Sequence, residues 1–293
     1  MTQLPFIPDH IYKRGDIHTT YGGNRQSGIC PSTKYPFIFI FSGKSGQQHG
    51  YRDGWDNPNV FSYTGAGQVG DMQFIAGNLA LRDHLQNGKR VFLFESEGNG
   101  FVKFISELEC FDVDEFPTHD TNGNIRKGIK FFFKRKGAHL PAQPGLFKPL
   151  QPVAESIESY NKLPAKTKLS VTSRIGDGVY LKRIIHRWEY KCAVTGFDKL
   201  NLLIASNIEP WPEDDQPERQ DIDNGILLSP TYDALFEQHL ISFEDSGKII
   251  LSKAIEMQAF KKIGVSGKET IKGLNDYNLI YLDKHRLRFY ETH

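Results

Sequence analysis

The sequence predicts an α+β protein in two domains: a β-rich, barrel-like module, then a unit in which two strands precede a helix. Three observations carry this expectation. The first half holds short apolar runs rich in Phe, Ile and Val, separated by Gly-containing turns. A proline-punctuated stretch interrupts the middle of the chain. Helical spacing then returns, ahead of a strand–strand–helix order. A length of 293 residues accommodates two domains without strain on that division.

In chain order, Pro36-Phe37-Ile38-Phe39-Ile40-Phe41 is a strand ending at Ser42-Gly43. One helix is expected at about 74–86, stopped by Asn87-Gly88. Val91-Phe92-Leu93-Phe94, Phe101-Val102-Lys103-Phe104-Ile105 and Ile129-Lys130-Phe131-Phe132-Phe133 are further strands, and Asn122-Gly123 centres a turn before the last. These place a first domain at 1–138. Pro141, Pro144, Pro149, Pro152 and Pro164 mark residues 139–172 as a linker, with a short polar helix near 154–161. The second domain is 173–293. Its first helix is expected at 180–190, where Leu181, Ile184, Ile185 and Trp188 recur at helical spacing.

Composition narrows the function. No apolar run reaches the roughly eighteen residues a membrane helix needs. The N-terminus lacks the basic-then-apolar layout of a secretory signal, so a cytoplasmic protein is expected. Cys30, Cys110 and Cys192 are odd in number and far apart, which argues against a disulfide framework or a zinc ribbon. The 36 basic and 35 acidic residues nearly cancel, so any nucleic-acid contact must come from local patches. Candidates are Arg126, Lys127 and Lys130; Lys134, Arg135 and Lys136; Lys182, Arg183 and Arg187; and Lys284, His285, Arg286 and Arg288.

Chemistry concentrates in two places. Ala205-Ser206-Asn207-Ile208-Glu209-Pro210-Trp211, then Asn224-Gly225-Ile226-Leu227-Leu228-Ser229, then Asp233-Ala234-Leu235-Phe236-Glu237 resembles the restriction-type HNH endonucleases in order and content. The resemblance implies a ββα-metal fold that hydrolyses a phosphodiester with one divalent metal, Mg2+ or similar, per site. It implies that residue 207 is the general base, that Asn224 fixes the backbone around it, and that Asp233 holds the metal. The family has histidine where Asn207 stands. A carboxamide has no usable proton affinity near pH 7, so this chain is expected to bind but hardly cleave. An inactivating change and a decayed nuclease are the competing explanations, and the otherwise intact motif favours the first. Glu237, Cys192 and His239 are expected to be structural.

The second place is Gly50-Tyr51-Arg52-Asp53-Gly54-Trp55, Phe61-Ser62-Tyr63-Thr64-Gly65-Ala66-Gly67 and Gly77-Asn78-Leu79-Ala80-Leu81. It resembles the SET-and-RING-associated (SRA) domain, a β-rich, PUA-like barrel that flips 5-methylcytosine out of duplex DNA. An extruded base needs π contact on both faces and a partner for its Watson–Crick edge. The resemblance assigns the rings to Tyr51 and Tyr63. The family's reading Asp falls at Gly54 here, so Asp53 is the expected reader, with Thr64 supporting it. Arg25 or Gln26, in the loop before Gly28-Ile29, would fill the hole left in the duplex. Asp71, Asn78 and His84 are expected to be structural.

Together these readings point to a modification-dependent restriction endonuclease acting on double-stranded DNA with modified cytosine. A homodimer is expected, because HNH domains often cut in pairs. A non-catalytic reader of modified DNA is the rival, and an HNH enzyme that clamps unmodified DNA by shape is a third possibility.

Overall fold

Ile38 and Ile40 pack into one hydrophobic cluster, while Phe39 and Phe41 pack into another on the opposite face. A strand covered on both sides must be apolar throughout, and this is why the run reads as continuous rather than alternating. It is the third strand in a computed structural model that describes residues 5–43, 53–140, 172–173, 178–210 and 221–292. The chain divides into two units, Met1–Pro164 and Ala165–His293.

The first unit runs β1 (Ile11–Lys13), α1 (Arg14–Tyr21), β2 (Ile29–Pro31), β3 (Phe37–Ser42), β4 (Gly54–Asn57), β5 (Val60–Thr64), α2 (Ala76–Arg82), β6 (Arg90–Gly98), β7 (Phe101–His119) and β8 (Ile125–Arg135). The strands form one mixed sheet ordered β2-β3-β6-β7-β8-β5-β4, with β1 on β7. Within this sheet, among its described strands, only β3 and β6 pair in parallel. β6 divides as β3 does, with Val91 and Leu93 in one core and Phe92 and Phe94 in the other. The long β7 serves β6 with its first half and β8 with its second, and its register shifts between Cys110 and Asp112. Such a bulge bends a strand and lets it serve both partners. The helix expected at 74–86 is shorter, closing at Arg82, because its last turns loosen towards Gly88, which takes a left-handed φ of 61°.

The second unit runs β9 (Thr172–Ser173), α3 (Val179–Arg187), β10 (Ile204–Asn207), β11 (Gly225–Leu228), α4 (Pro230–Glu237), β12 (Ile241–Phe243), β13 (Ile249–Leu251), α5 (Met257–Lys262) and α6 (Asp276–Thr292). β10 pairs antiparallel with β11 and parallel with β9, and α4 follows β11 directly. α6 buries Asn278, Leu282, His285 and Phe289, a single stripe at helical spacing. Residues 141–171 of the expected linker 139–172, with its short helix, lie outside the described residues.

Several residues of the expected basic patches are not on the surface. Arg126, Lys130, Lys182, Arg183 and His285 are all buried. Arg126 donates to the Gly67 and Gly70 carbonyls at 3.0 and 3.2 Å, which draws its head inward. No helix of the described structure is long and apolar enough to cross a membrane.

Candidate functional sites

In the first unit, the β4–β5 hairpin brings Asp53 beside Thr64, and β8 runs antiparallel to β5 so that Lys130 faces Thr64. The Thr64 amide donates to Asp53 Oδ1 at 2.6 Å. Lys130 Nζ donates to the same oxygen at 3.2 Å and to Thr64 Oγ1 at 2.8 Å. Every hydrogen bond to Asp53 among the described residues therefore ends on Oδ1. The Asp53 side chain is 17% exposed, whereas that of Lys130 is 3% exposed. A carboxylate pinned by one oxygen, with no described residue bonded to the other and the side chain partly open, suits an amino donor arriving from outside.

Tyr63 departs from expectation. β5 alternates, so Phe61 and Tyr63 point into the core with Ile129, Phe131 and Phe133, while Ser62 and Thr64 point to the other face. Tyr63 is 5% exposed, and its hydroxyl donates to the Phe41 carbonyl at 3.3 Å. Burial pushes its phenol well above the ordinary range. It is a packed core ring in this structure, not an open wall of a pocket, because one strand cannot aim residues 63 and 64 at the same cavity. Tyr51 lies outside the described residues. The loop bearing Arg25 and Gln26 is exposed, and Arg25 reaches Thr19 Oγ1 at 3.3 Å. Its end closes over Tyr63: a Cβ on Gly28 would meet the Tyr63 hydroxyl at 2.7 Å, so only glycine permits this approach.

Asn78 supports the same region. Its buried carboxamide accepts from the Ala66 amide at 2.7 Å and donates to the carbonyls of Ala66 and Gln73 at 2.8 and 2.9 Å. Lys130 escaped sequence reasoning as a site residue because it reads as part of a basic run. The usable signal was parity: Lys130 alternates with the core residues Ile129 and Phe131 and so shares a face with Thr64.

In the second unit, Asn224 is 1% exposed and bridges the chain two residues beyond Asn207. It accepts from the Glu209 amide and donates to the Glu209 carbonyl, both at 2.8 Å. The Ile208 amide donates to the Asn224 carbonyl at 2.7 Å. These bonds hold the end of β10 rigidly. Alternation along β10 then separates Ser206 from Asn207. Ser206 turns towards α4, where its hydroxyl donates to Asp233 Oδ1, and both residues are buried. Asn207 faces α3, where the Tyr180 hydroxyl lies 3.4 Å from its Oδ1 and 2.9 Å from the Asp221 carbonyl. A phenol carries one proton, and the shorter contact takes the greater share of it. Burial raises Tyr180 further, so it remains a donor at neutral pH. The structure thus brings Ser206, not Asn207, into direct contact with Asp233. Ser206 and Tyr180 are the site residues that sequence reasoning did not assign. Glu237 is exposed, and Trp211 lies outside the described residues.

The Asn-Gly pair has an unexpected basis. Gly225 has an extended φ of −92° and begins β11 rather than shaping a turn. A Cβ there would fall 1.8 Å from Ile184 Cδ1 of α3, and the Trp188 indole donates to its carbonyl at 2.9 Å. The glycine is required by helix-on-strand packing.

The Ser206 hydroxyl and the Asp233 carboxylate are hard oxygen donors in contact with each other. No group of three or more His, Cys, Asp or Glu side chains able to hold a metal occurs among the described residues. This donor set fits a small hard cation that keeps most of its water, such as Mg2+.

α6 ties this site to the chain end. Arg288 pairs with Glu209 Oε1 at 2.5 Å, Tyr281 donates to Asp221 Oδ2 at 3.2 Å, and the Asn278 amide donates to the Asp223 carbonyl at 2.6 Å.

Residues 8–143 match the family model described as the ScoMcrA-like SRA domain, and residues 192–244 match that of an HNH endonuclease. No curated protein matches the chain. Among solved structures, the sulfur-binding and SRA domains of ScoMcrA complexed with phosphorothioated DNA are 20% identical (TM-score 0.38), covering 50% of this chain and 44% of that one. The type IV phosphorothioation-dependent restriction endonuclease ScoMcrA is 17% identical (TM-score 0.40), covering 79% of this chain and 59% of that one. The SUVH5 SRA domain in complex with methylated CHH DNA is 23% identical (TM-score 0.34), covering 48% and 94%. This chain thus spans less than two thirds of either ScoMcrA structure.

Proposed function

Because the chain carries a ScoMcrA-like SRA domain ahead of an HNH endonuclease domain, we propose that it is a nuclease directed by modified cytosine in double-stranded DNA. The SRA unit takes the base out of the stack, and Asp53 accepts a hydrogen bond from its N4 amino group through the uncommitted oxygen. The observation that carries this reading is the pinning of Asp53 Oδ1 by Thr64 and Lys130, which presets the direction of Oδ2. Arg25 or Gln26 fills the gap in the duplex.

In the HNH unit, Ser206 and Asp233 would hold a divalent cation, which supplies charge compensation at the scissile phosphate. Asn224 holds the chain so that residue 207 stays at the end of β10. Asn207 orients water or phosphate oxygen by hydrogen bonding but takes no proton, so hydrolysis lacks its general base. That absence favours a second reading, a non-catalytic reader of modified DNA.

Two measurements separate these possibilities. Fluorescence anisotropy at fixed salt compares duplexes bearing 5-methylcytosine, 5-hydroxymethylcytosine, a phosphorothioate linkage or no modification. Tighter binding of the modified cytosines is expected, and equal binding of all four would overturn the reading. Asn207→His is then assayed with Mg2+ on the preferred duplex. Cleavage appearing above the parent chain supports the nuclease, and an Asn207→His chain that binds but never cuts supports the reader.

A further inference from the structure

Segment 246–273 holds six lysines against two glutamates, in a chain whose charges nearly cancel. It lies beyond both segments matched by the family models. Sequence order hides how these lysines cluster. Lys248 bridges Thr270 in an antiparallel pair, where the Ile249 amide donates to the Glu269 carbonyl and the Ile271 amide to the Gly247 carbonyl, each at 2.9 Å. Residues opposite one another in such a pair share a face, and so do residues two apart along each run. Lys248, Lys268, Thr270 and Lys272 therefore share one face, and all four are exposed. Gly247, Ile249 and Ile271 are buried on the other.

Three ammonium groups on one face of a ribbon repel one another, and the protein does not offset them. On the sheet of the first unit, Lys103, Lys127 and Lys134 pair with Glu97, Glu115 and Glu109. Among the described residues, Lys248, Lys268 and Lys272 pair with no carboxylate. Glu269, between two of them, turns inward. It accepts from the Ser266 and Gly267 amides at 2.6 and 2.8 Å and from the Tyr232 hydroxyl at 3.3 Å. Tyr232 immediately precedes Asp233 on α4. The inner side of the ribbon is thus fastened to the helix that carries the candidate metal ligand, with the lysines turned to solvent.

We propose that this lysine face is the phosphate-binding surface of the HNH unit, on which Lys248, Lys268 and Lys272 hold the DNA backbone flanking the scissile bond. The inference rests on the reading of the second unit as a DNA-binding nuclease domain, and it assigns that unit its grip on the duplex. A lysine meets phosphate as a point charge and reads no base. Each phosphate it neutralises releases condensed counterions, so every such contact appears as salt dependence. These contacts hold modified and plain DNA alike and leave discrimination to the first unit.

Anisotropy of the full chain with 5-methylcytosine and unmodified duplexes, each titrated across a salt series, tests this. Three phosphate contacts contribute about 2.7 to the slope of log affinity against log salt. Lys248→Gln, Lys268→Gln and Lys272→Gln combined should lower the slope by about that much and weaken binding of both duplexes roughly hundredfold near physiological salt. Circular dichroism and the melting midpoint should not change, since all three side chains are exposed. The corresponding triple arginine variant keeps the charges and should keep the parent slope. A slope that falls by less than about one unit in the glutamine variant, or by as much in the arginine variant as in the glutamine variant, would overturn the proposal. An unchanged slope with preference for the modified duplex retained fails this inference alone. A lowered slope in a chain that binds both duplexes equally fails the functional reading alone.

Discussion

Lys130→Met removes the cation from a buried pair whose side chains are 3% and 17% exposed. Asp53 then keeps the Thr64 amide but loses its counter-charge. Breaking a fully buried pair costs about 3–5 kcal/mol, and the partial exposure of Asp53 reduces this to about 2–3 kcal/mol. Asp53→Asn takes the counter-charge from the less exposed ammonium, which keeps its bond to the Thr64 hydroxyl, and should cost about 3 kcal/mol. The double variant carries neither charge, so it should lose only about 1–2 kcal/mol from the hydrogen bonds that remain unmade. The two changes are therefore strongly non-additive, with a coupling of about 3–5 kcal/mol. Calorimetry of the full chain follows the melting of the first unit, where each kcal/mol moves the midpoint by about 2–4 °C for a domain of this size. Either single variant should lower it by several degrees more than the double does. Single effects that sum to the double within about 0.5 kcal/mol would refute the argument, because the pair would then not be coupled. The same variants report on recognition. Loss of one charge-assisted hydrogen bond to the base is worth about 1.5–3 kcal/mol, so Asp53→Asn should reduce preference for the modified duplex roughly tenfold to a hundredfold.

Two further outcomes follow from the second unit. Asn224→Ala leaves the Glu209 amide and carbonyl without their partner inside the protein, which should destabilise this unit by about 2–4 kcal/mol; Asn224→Asp, which still accepts but cannot donate, should fall between, as read by urea unfolding. His285 stacks on Phe236 at 3.7 Å between ring centres, and burial lowers its pKa to about 4. Its folded value lies below the ordinary 6.5, so the unfolded chain takes up the proton first as pH falls. The unit should therefore lose about 3 kcal/mol between pH 6.5 and 4, and this loss should be absent in His285→Gln when melting midpoints are compared across pH.

The sequence by itself determined the two-part α+β division, the strands around residues 37, 92, 101 and 131, and the motif blocks. Each of these is a local pattern: apolar runs, proline punctuation, or residue order within a few turns of chain. It also exposed the asparagine at 207, since that residue's lack of proton affinity is intrinsic. Tertiary structure decided which residues meet. Parity along β5 sent Tyr63 into the core and Thr64 towards Asp53, and pairing with β8 delivered Lys130, 77 positions away in sequence from Asp53, to the same carboxylate. Parity along β10 likewise gave Asp233 to Ser206 rather than to Asn207. Gly225 is glycine because Ile184 of α3 lies against it, a contact between elements about forty positions apart. The sequence names donors and acceptors, but a strand has two faces. Which face a neighbouring element covers depends on long-range packing that no local pattern records.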